Sequence, residues 1–152
     1  MSRGIATELL FDHLALDRGL VVSRPLLDVP YDRVVDGGAG LFRVQIKETS
    51  RMDGGGWWVQ TSGRKKKKYG QTIDVMAVYI KPENAWFLFP AGEVTGTAMK
   101  LTLGGKYWKY INNWNIFYET KQENQAGPVP VQGAPDTGFG SGEGSSEDTQ
   151  EV

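Results

Sequence analysis

Cysteine is absent from the 152 residues, and histidine occurs once, as His13. The first absence removes disulfide scaffolds, zinc–thiolate sites, iron–sulfur centres and cysteine nucleophiles. The second leaves no multi-histidine metal cage. No apolar run approaches the roughly 20 residues that a bilayer span needs. The opening Met-Ser-Arg-Gly-Ile-Ala-Thr-Glu lacks a signal peptide's apolar core and has Glu8 where that core would lie. An intracellular, cytoplasmic protein with no membrane partner is therefore expected. Basic residues are also missing from one end: all 17 Lys and Arg lie at or before Lys121.

Residues 1–121 set those 17 bases against 12 acids, for a net +5, whereas residues 122–152 carry six acids and no base. The near-neutral total thus hides a basic body with an acidic tail, an asymmetry that points to an anionic partner. From Gln122 onward Gly, Ser, Pro, Gln and acids displace the aliphatic residues. Such a composition cannot bury enough apolar surface to offset its ordering entropy. Two units are expected: a folded domain over 1–121 and a disordered acidic tail over 122–152. The tail is either a solubilising appendage or a polyanion that competes for a basic groove.

The body opens with a predicted helix, in which Ile5, Leu9 and Leu16, with Ala6, Leu10 and Leu14, recur at helical spacings. Ser2 could cap it and Gly19 stop it. Strands are predicted at 20–24, 31–35, 41–47, 57–61, 73–80 and 85–89, with a turn at Asp36-Gly37-Gly38-Ala39-Gly40. Residues 94–103 read as a polar connection or edge strand. Tyr107, Ile111, Trp114 and Tyr118 suggest a closing helix over 107–118, with the aromatics of that stretch in a core or dimer interface. The expected class is α/β (α+β): a central mixed sheet with a long hairpin, flanked by an N-terminal and a C-terminal helix.

Along 41–47 the side chains alternate, so Phe42, Val44 and Ile46 share one face while Arg43, Gln45 and Lys47 share the other. The hairpin partner contributes Asp32, and the first helix contributes Glu8. An acid before a hairpin, followed by a polar–apolar–Lys triplet on the return strand, can hold a divalent metal. The carboxylate and a backbone carbonyl, that of Ile46, would be ligands, with the lysine ammonium beside them. Such a set suits phosphodiester hydrolysis, in which the ion activates water and offsets charge on the phosphate. Blander readings stand beside this one: Glu8 as a helix-face acid paired with Arg3 or with the neighbours of Asp12, Asp32 and Lys47 as a cross-strand ion pair, Gln45 as a solvated residue.

These residues resemble the PD-(D/E)xK nuclease superfamily, and within it the archaeal-type four-way (Holliday) junction resolvases and a branch of homing endonucleases. The likeness covers roughly residues 3–90: Arg3-Gly4 with Glu8 in the opening helix, Tyr31-Asp32, and Val44-Gln45-Ile46-Lys47. It implies a restriction-endonuclease-like core, with Asp32 as central metal ligand, Glu8 as an additional acid and Lys47 as catalytic lysine. It also implies Mg2+ or Mn2+ as cofactor, duplex or four-way-junction DNA as substrate, and a homodimer or homotetramer. Tyr31 stands where the superfamily has Pro, and Gln45 where most members have Asp or Glu. The homing branch is similar in using Gln there, whereas the Arg3-Gly4…Glu8 opening resembles the resolvases. Asp74 also sits at a family-like position, with a capping or hydrogen-bonding role expected.

Arg64-Lys65-Lys66-Lys67-Lys68, five consecutive cations in a predicted loop, have the form of a phosphate-backbone clamp, and Arg3 would add to it. Trp57, Trp58 and Tyr69 flank the loop and either stack on unpaired bases or pack into the core. The reading is a metal-dependent DNA endonuclease, of resolvase or homing type, with a restriction-type enzyme a further option. A catalytically silent DNA-binding protein on the same fold is the alternative.

Overall fold

The computed structural model describes residues 3–62 and 72–121. Helix α1 (Arg3–Asp17) stops at Gly19, whose φ of +79° is open to glycine without strain. The Gly19 N–H donates to the Leu16 carbonyl and the Leu20 N–H to the Ala15 carbonyl. This Schellman closure satisfies two orphan carbonyls and drives Leu20 into the core. The face that α1 buries is Thr7, Phe11 and Ala15, while Ile5, Leu9 and Leu16 are exposed. Apolar spacing alone predicted no such rotation. It is set by Glu8 and Asp12, one turn apart, which turn toward a buried cation on the sheet.

Five strands form the main sheet in the order β1-β2-β3-β6-β7: β1 (Val21–Ser23), β2 (Arg33–Asp36), β3 (Leu41–Thr49), β6 (Val75–Ile80) and β7 (Ala85–Pro90). Strands β3 and β6 are parallel and the other neighbours antiparallel, so the sheet is mixed. The β2–β3 hairpin turns where Asp36 Oδ1 accepts the Gly38 N–H at 2.8 Å. A Cβ at Gly37 would lie 2.1 Å from the Phe117 carbonyl oxygen, so only glycine fits between this turn and the chain's closing segment. Strands β6 and β7 are apolar nearly throughout because both their faces are covered.

The parallel β3–β6 link needs a crossover. Its described part contributes β4 (Met52–Asp53) and β5 (Gly56–Gln60) to a second sheet, which β8 (Ala98–Leu101), from after β7, completes in the order β4-β5-β8. One core lies between α1 and the main sheet around Phe11, Val44, Ala77, Trp86 and Phe117. The other lies between the sheets, around Val59, Met76, Phe87, Phe89 and Leu101. The edge strand expected within 94–103 is therefore β8.

The closing helix predicted over 107–118 is replaced by two short 3-10 turns, Trp108–Tyr110 and Trp114–Phe117. Between them Asn112 adopts φ +50°, which ends any right-handed helix. Its N–H donates to the Trp86 carbonyl at 2.7 Å, and Ile111 bridges to Phe87, so pairing with β7 wins over helical periodicity. Tyr110, Trp114 and Phe117 are buried, as a core role requires, whereas Trp108 and Tyr118 are exposed. Expectations for Arg64–Lys68, Tyr69, the Arg3 side chain, the Ser2 cap and the tail 122–152 lie outside the described residues.

Candidate active site

Strand β3 keeps the alternation read from its sequence: Phe42, Val44 and Ile46 are buried, while Arg43, Gln45 and Lys47 are half-buried on the other face. Asp32, just before β2, donates its N–H to the Val44 carbonyl at 2.8 Å and so extends the hairpin ladder. The register Arg33↔Val44 sets Asp32 opposite Gln45. Asp32 Oδ2 accepts two hydrogen bonds, from the Ile46 N–H and from Gln45 Nε2, each at 2.8 Å. Gln45 Nε2 also reaches the Ile46 carbonyl at 3.3 Å. Gln45 is thus part of the Asp32 environment rather than a solvated residue.

Glu8, Asp32, Gln45, Ile46 and Lys47 line one cavity of about 150 Å³ with Gly4, Thr7 and Glu48. Burial pushes the Asp32 carboxyl above its usual range, against the Ile46 N–H and the charges of Arg33 and Lys47. Burial and the neighbouring Asp32 charge push Glu8 up as well. Lys47 is lowered by burial, a shift that Asp32 partly opposes. Two acids and a lysine, each shifted toward neutrality chiefly by burial, thus share one cavity. The cross-strand neighbour of Asp32 is Gln45, and Lys47 interacts with Asp32 through its charge.

Arg33 escaped the sequence reading. It is 2% exposed and grips Asp12 with two bonds, Nε to Oδ1 at 2.7 Å and Nη2 to Oδ2 at 2.9 Å. Its Nη1 donates to the Asp32 carbonyl at 2.7 Å and lies 3.4 Å from Glu8 Oε2. Glu8 is therefore partnered by Arg33. A signal was present: position 33 shares the face of Val35, Val44 and Phe42, and a core-facing arginine requires acids from whatever packs above it. Glu48 also went unnoticed; it accepts the Thr7 hydroxyl hydrogen bond and pairs with Lys81 at 3.4 Å.

Asp74 takes the hydrogen-bonding role expected of it. Only 1% exposed, it accepts the Arg43 N–H at 2.8 Å and the Arg43 guanidinium at 3.1 and 3.2 Å, and pairs with Lys121 at 3.0 Å. Burial pushes its carboxyl up, but the Arg43 and Lys121 bonds outweigh that and hold it below the usual carboxylate range. A depressed folded value contributes stability above the unfolded value and loses it as pH falls through the folded one. Asp74→Asn should accordingly lower stability by about 1–2 kcal/mol near neutrality, since both cations are a third exposed. The gap to wild type should close below about pH 4 in urea titrations. A gap independent of pH would mean that its charge contributes nothing.

Among the described residues no cluster of three or more His, Cys, Asp or Glu side chains could hold a metal, and no helix is long and apolar enough to cross a membrane. No curated protein matches the chain. Among solved structures it is similar to a bacterial homing endonuclease, I-Ssp6803I, with TM-score 0.63 and 22% identity over 76% of this chain and 88% of that one. It is also similar to the Holliday junction resolvase Hjc of Archaeoglobus fulgidus, an archaeal hyperthermophile, with TM-score 0.47 and 18% identity over 66% and 84%. At such identities the first likeness speaks for the fold. The PD-(D/E)XK endonuclease family model matches residues 3–117, from α1 to the last 3-10 turn, and by that extent the chain belongs to this family.

Proposed function

We propose that the chain is a metal-dependent endonuclease that hydrolyses phosphodiester bonds in DNA. The observation that carries this reading is the convergence of Glu8, Asp32, Gln45 and Lys47 on one cavity within the family match. The donor set fits a hard divalent ion. Asp32 Oδ2 and the Ile46 carbonyl both accept from the same Gln45 nitrogen, so two oxygens already converge on one polar group. Magnesium is commonly held by one or two carboxylates, the rest of its shell being water and substrate phosphate. Asp32, Glu8, the Ile46 carbonyl and Gln45 Oε1, with the amide turned so that the oxygen replaces Nε2, would hold it. When bound, Mg2+ or Mn2+ supplies Lewis-acid charge at the phosphate and lowers the pKa of water.

The chain's own groups do the rest. Lys47, half-buried beside Asp32, orients the attacking water and offsets charge on the phosphate. Arg33 holds Glu8 and the Asp32 carbonyl in place. Gln45, in place of an acid, favours the homing-type reading over the junction resolvase. Two strands must be cut, so the enzyme acts as a homodimer or homotetramer. Arg3 and Arg64–Lys68 serve the phosphate backbone.

Magnesium-dependent cleavage of a labelled four-way junction, compared with a linear duplex of the same sequence, tests the reading. Cleavage confined to the junction assigns a resolvase, and duplex cleavage a homing-type enzyme. Binding without cleavage in either metal leaves a catalytically silent DNA-binding protein. Gln45→Glu places a second carboxylate against Asp32, so stability in chelator should fall while the metal concentration for half-maximal cleavage drops several-fold. An unchanged metal titration would show that residue 45 is no ligand.

A further inference from the structure

The outer face of the second sheet carries charge that the candidate site does not use. Trp58 pairs with Lys100 across β5–β8, and its N–H donates to the Arg51 carbonyl at 2.8 Å on the other side. Arg51, Trp58 and Lys100 therefore form one lateral row across the sheet. The Arg51 guanidinium lies over the Trp58 ring, 4.3 Å from its centroid. This contact holds the cation flat against the surface instead of letting it range through solvent.

Lys100 is laid down in a different way. A Cβ at Gly56 would lie 2.5 Å from Lys100 Cγ, and one at Gly54 would lie 3.0 Å from Lys100 Nζ. The lysine stem thus crosses bare glycine backbone toward the β4–β5 turn. Arg51 and Lys100 are both exposed, and Asp53, at the turn, is the acid of this hairpin. Two fixed cations, an aromatic seat and a glycine track make a low, flat, positive surface.

This surface adjoins the candidate site through the backbone. Strand β3 runs on from Lys47 to Thr49, whose hydroxyl donates to the Trp58 carbonyl at 2.5 Å and accepts the Arg51 N–H at 3.1 Å. Arg51 lies four positions after Lys47, at most roughly 13 Å of extended strand. That is about four base pairs along a duplex axis.

We propose that the outer face of β4-β5-β8 binds the DNA phosphodiester backbone beside the scissile bond, with Arg51 and Lys100 as phosphate contacts and Trp58 as the positioning residue for Arg51. The inference rests on the endonuclease reading, which supplies a polyanion to the adjoining cavity. Neutralising the row leaves the cavity's own residues intact, so the surface sets affinity and register rather than the chemical step.

The test measures binding of full-length protein to labelled duplex and junction DNA in chelator across a salt series, with cleavage in magnesium measured separately. R51Q/K100Q should bind roughly tenfold more weakly at low salt and flatten the salt slope by about 1.8, the share of two phosphates. Trp58→Leu, with both charges kept, should lose part of this affinity, and Trp58→Tyr should restore it. K106Q/K109Q removes the same charge from exposed lysines elsewhere. An equal loss there would reduce the effect to net charge and overturn the proposal. Unchanged affinity and slope in R51Q/K100Q, with wild type binding and cleaving, would overturn it and leave the endonuclease reading standing. Absence of DNA binding by wild type would overturn both.

Discussion

Asp32→Ala is expected to reduce metal-dependent cleavage by at least about a thousandfold while DNA affinity in chelator stays within a few-fold of wild type. The asymmetry follows from position. Asp32 is the carboxylate around which Gln45 and the Ile46 N–H are organised, and it is no phosphate contact. Losing the several kcal/mol of charge stabilisation that a bound ion supplies corresponds to three or more decades in rate. Lys47→Ala should lose cleavage as well, with only the modest change in affinity expected for one cation. The two variants separate in metal binding. Magnesium should raise the unfolding temperature of wild type and Lys47→Ala, since a ligand of the native state stabilises it, but not that of Asp32→Ala. Asp32→Asn removes a charge that burial disfavours and should be at least as stable as wild type in chelator. Cleavage at wild-type rate by either alanine variant would remove the proposed site.

Arg33→Met should be the most destabilising single change near the site. It strands Asp12, bonded twice to the guanidinium, and takes the cation from Glu8. Breaking a buried ion pair costs about 3–5 kcal/mol when the orphaned charge stays buried. Asp12 is a fifth exposed and can recover water, so about 2–3 kcal/mol is expected from denaturant titration. Arg33→Lys should recover part of this, because an ammonium cannot reproduce the fork that meets both Asp12 oxygens. Arg33→Met with Asp12→Leu should recover more, because no stranded acid remains there. Cleavage should stay low in that pair, as Glu8 loses the charge that counters burial and Asp32. Recovery of activity along with stability would show that Arg33 acts on the fold alone.

The parts of this protein legible in its sequence are those fixed by neighbours along the chain. Alternation in 41–47 separated Val44 and Ile46 from Gln45 and Lys47, because a strand's period of two does not depend on what packs against it. Gly19 announced the end of α1, since few other residues take its φ freely. The apolar runs at 73–80 and 85–89 announced the strands β6 and β7. Asp32, Gln45 and Lys47 could be brought together on paper, since a hairpin turn and two alternations suffice.

Contacts distant in sequence decided the rest. The rotation of α1 depends on Arg33 gripping Asp12, 21 residues away; Leu10 and Leu14 of the apolar set pack against the core, whereas Ile5, Leu9 and Leu16 stay exposed because spacing carried no information about that cation. The closing helix gave way to two turns because Asn112 pairs with the Trp86 backbone, 26 residues earlier, at the edge of β7. Asp74 is buried as a charge because Arg43 and Lys121 both reach it, one from the neighbouring strand and one from the end of the described chain. Arg51, Trp58 and Lys100 form a row only once β5 has paired on both sides. A local pattern specifies which way a side chain points; only tertiary packing specifies what it meets.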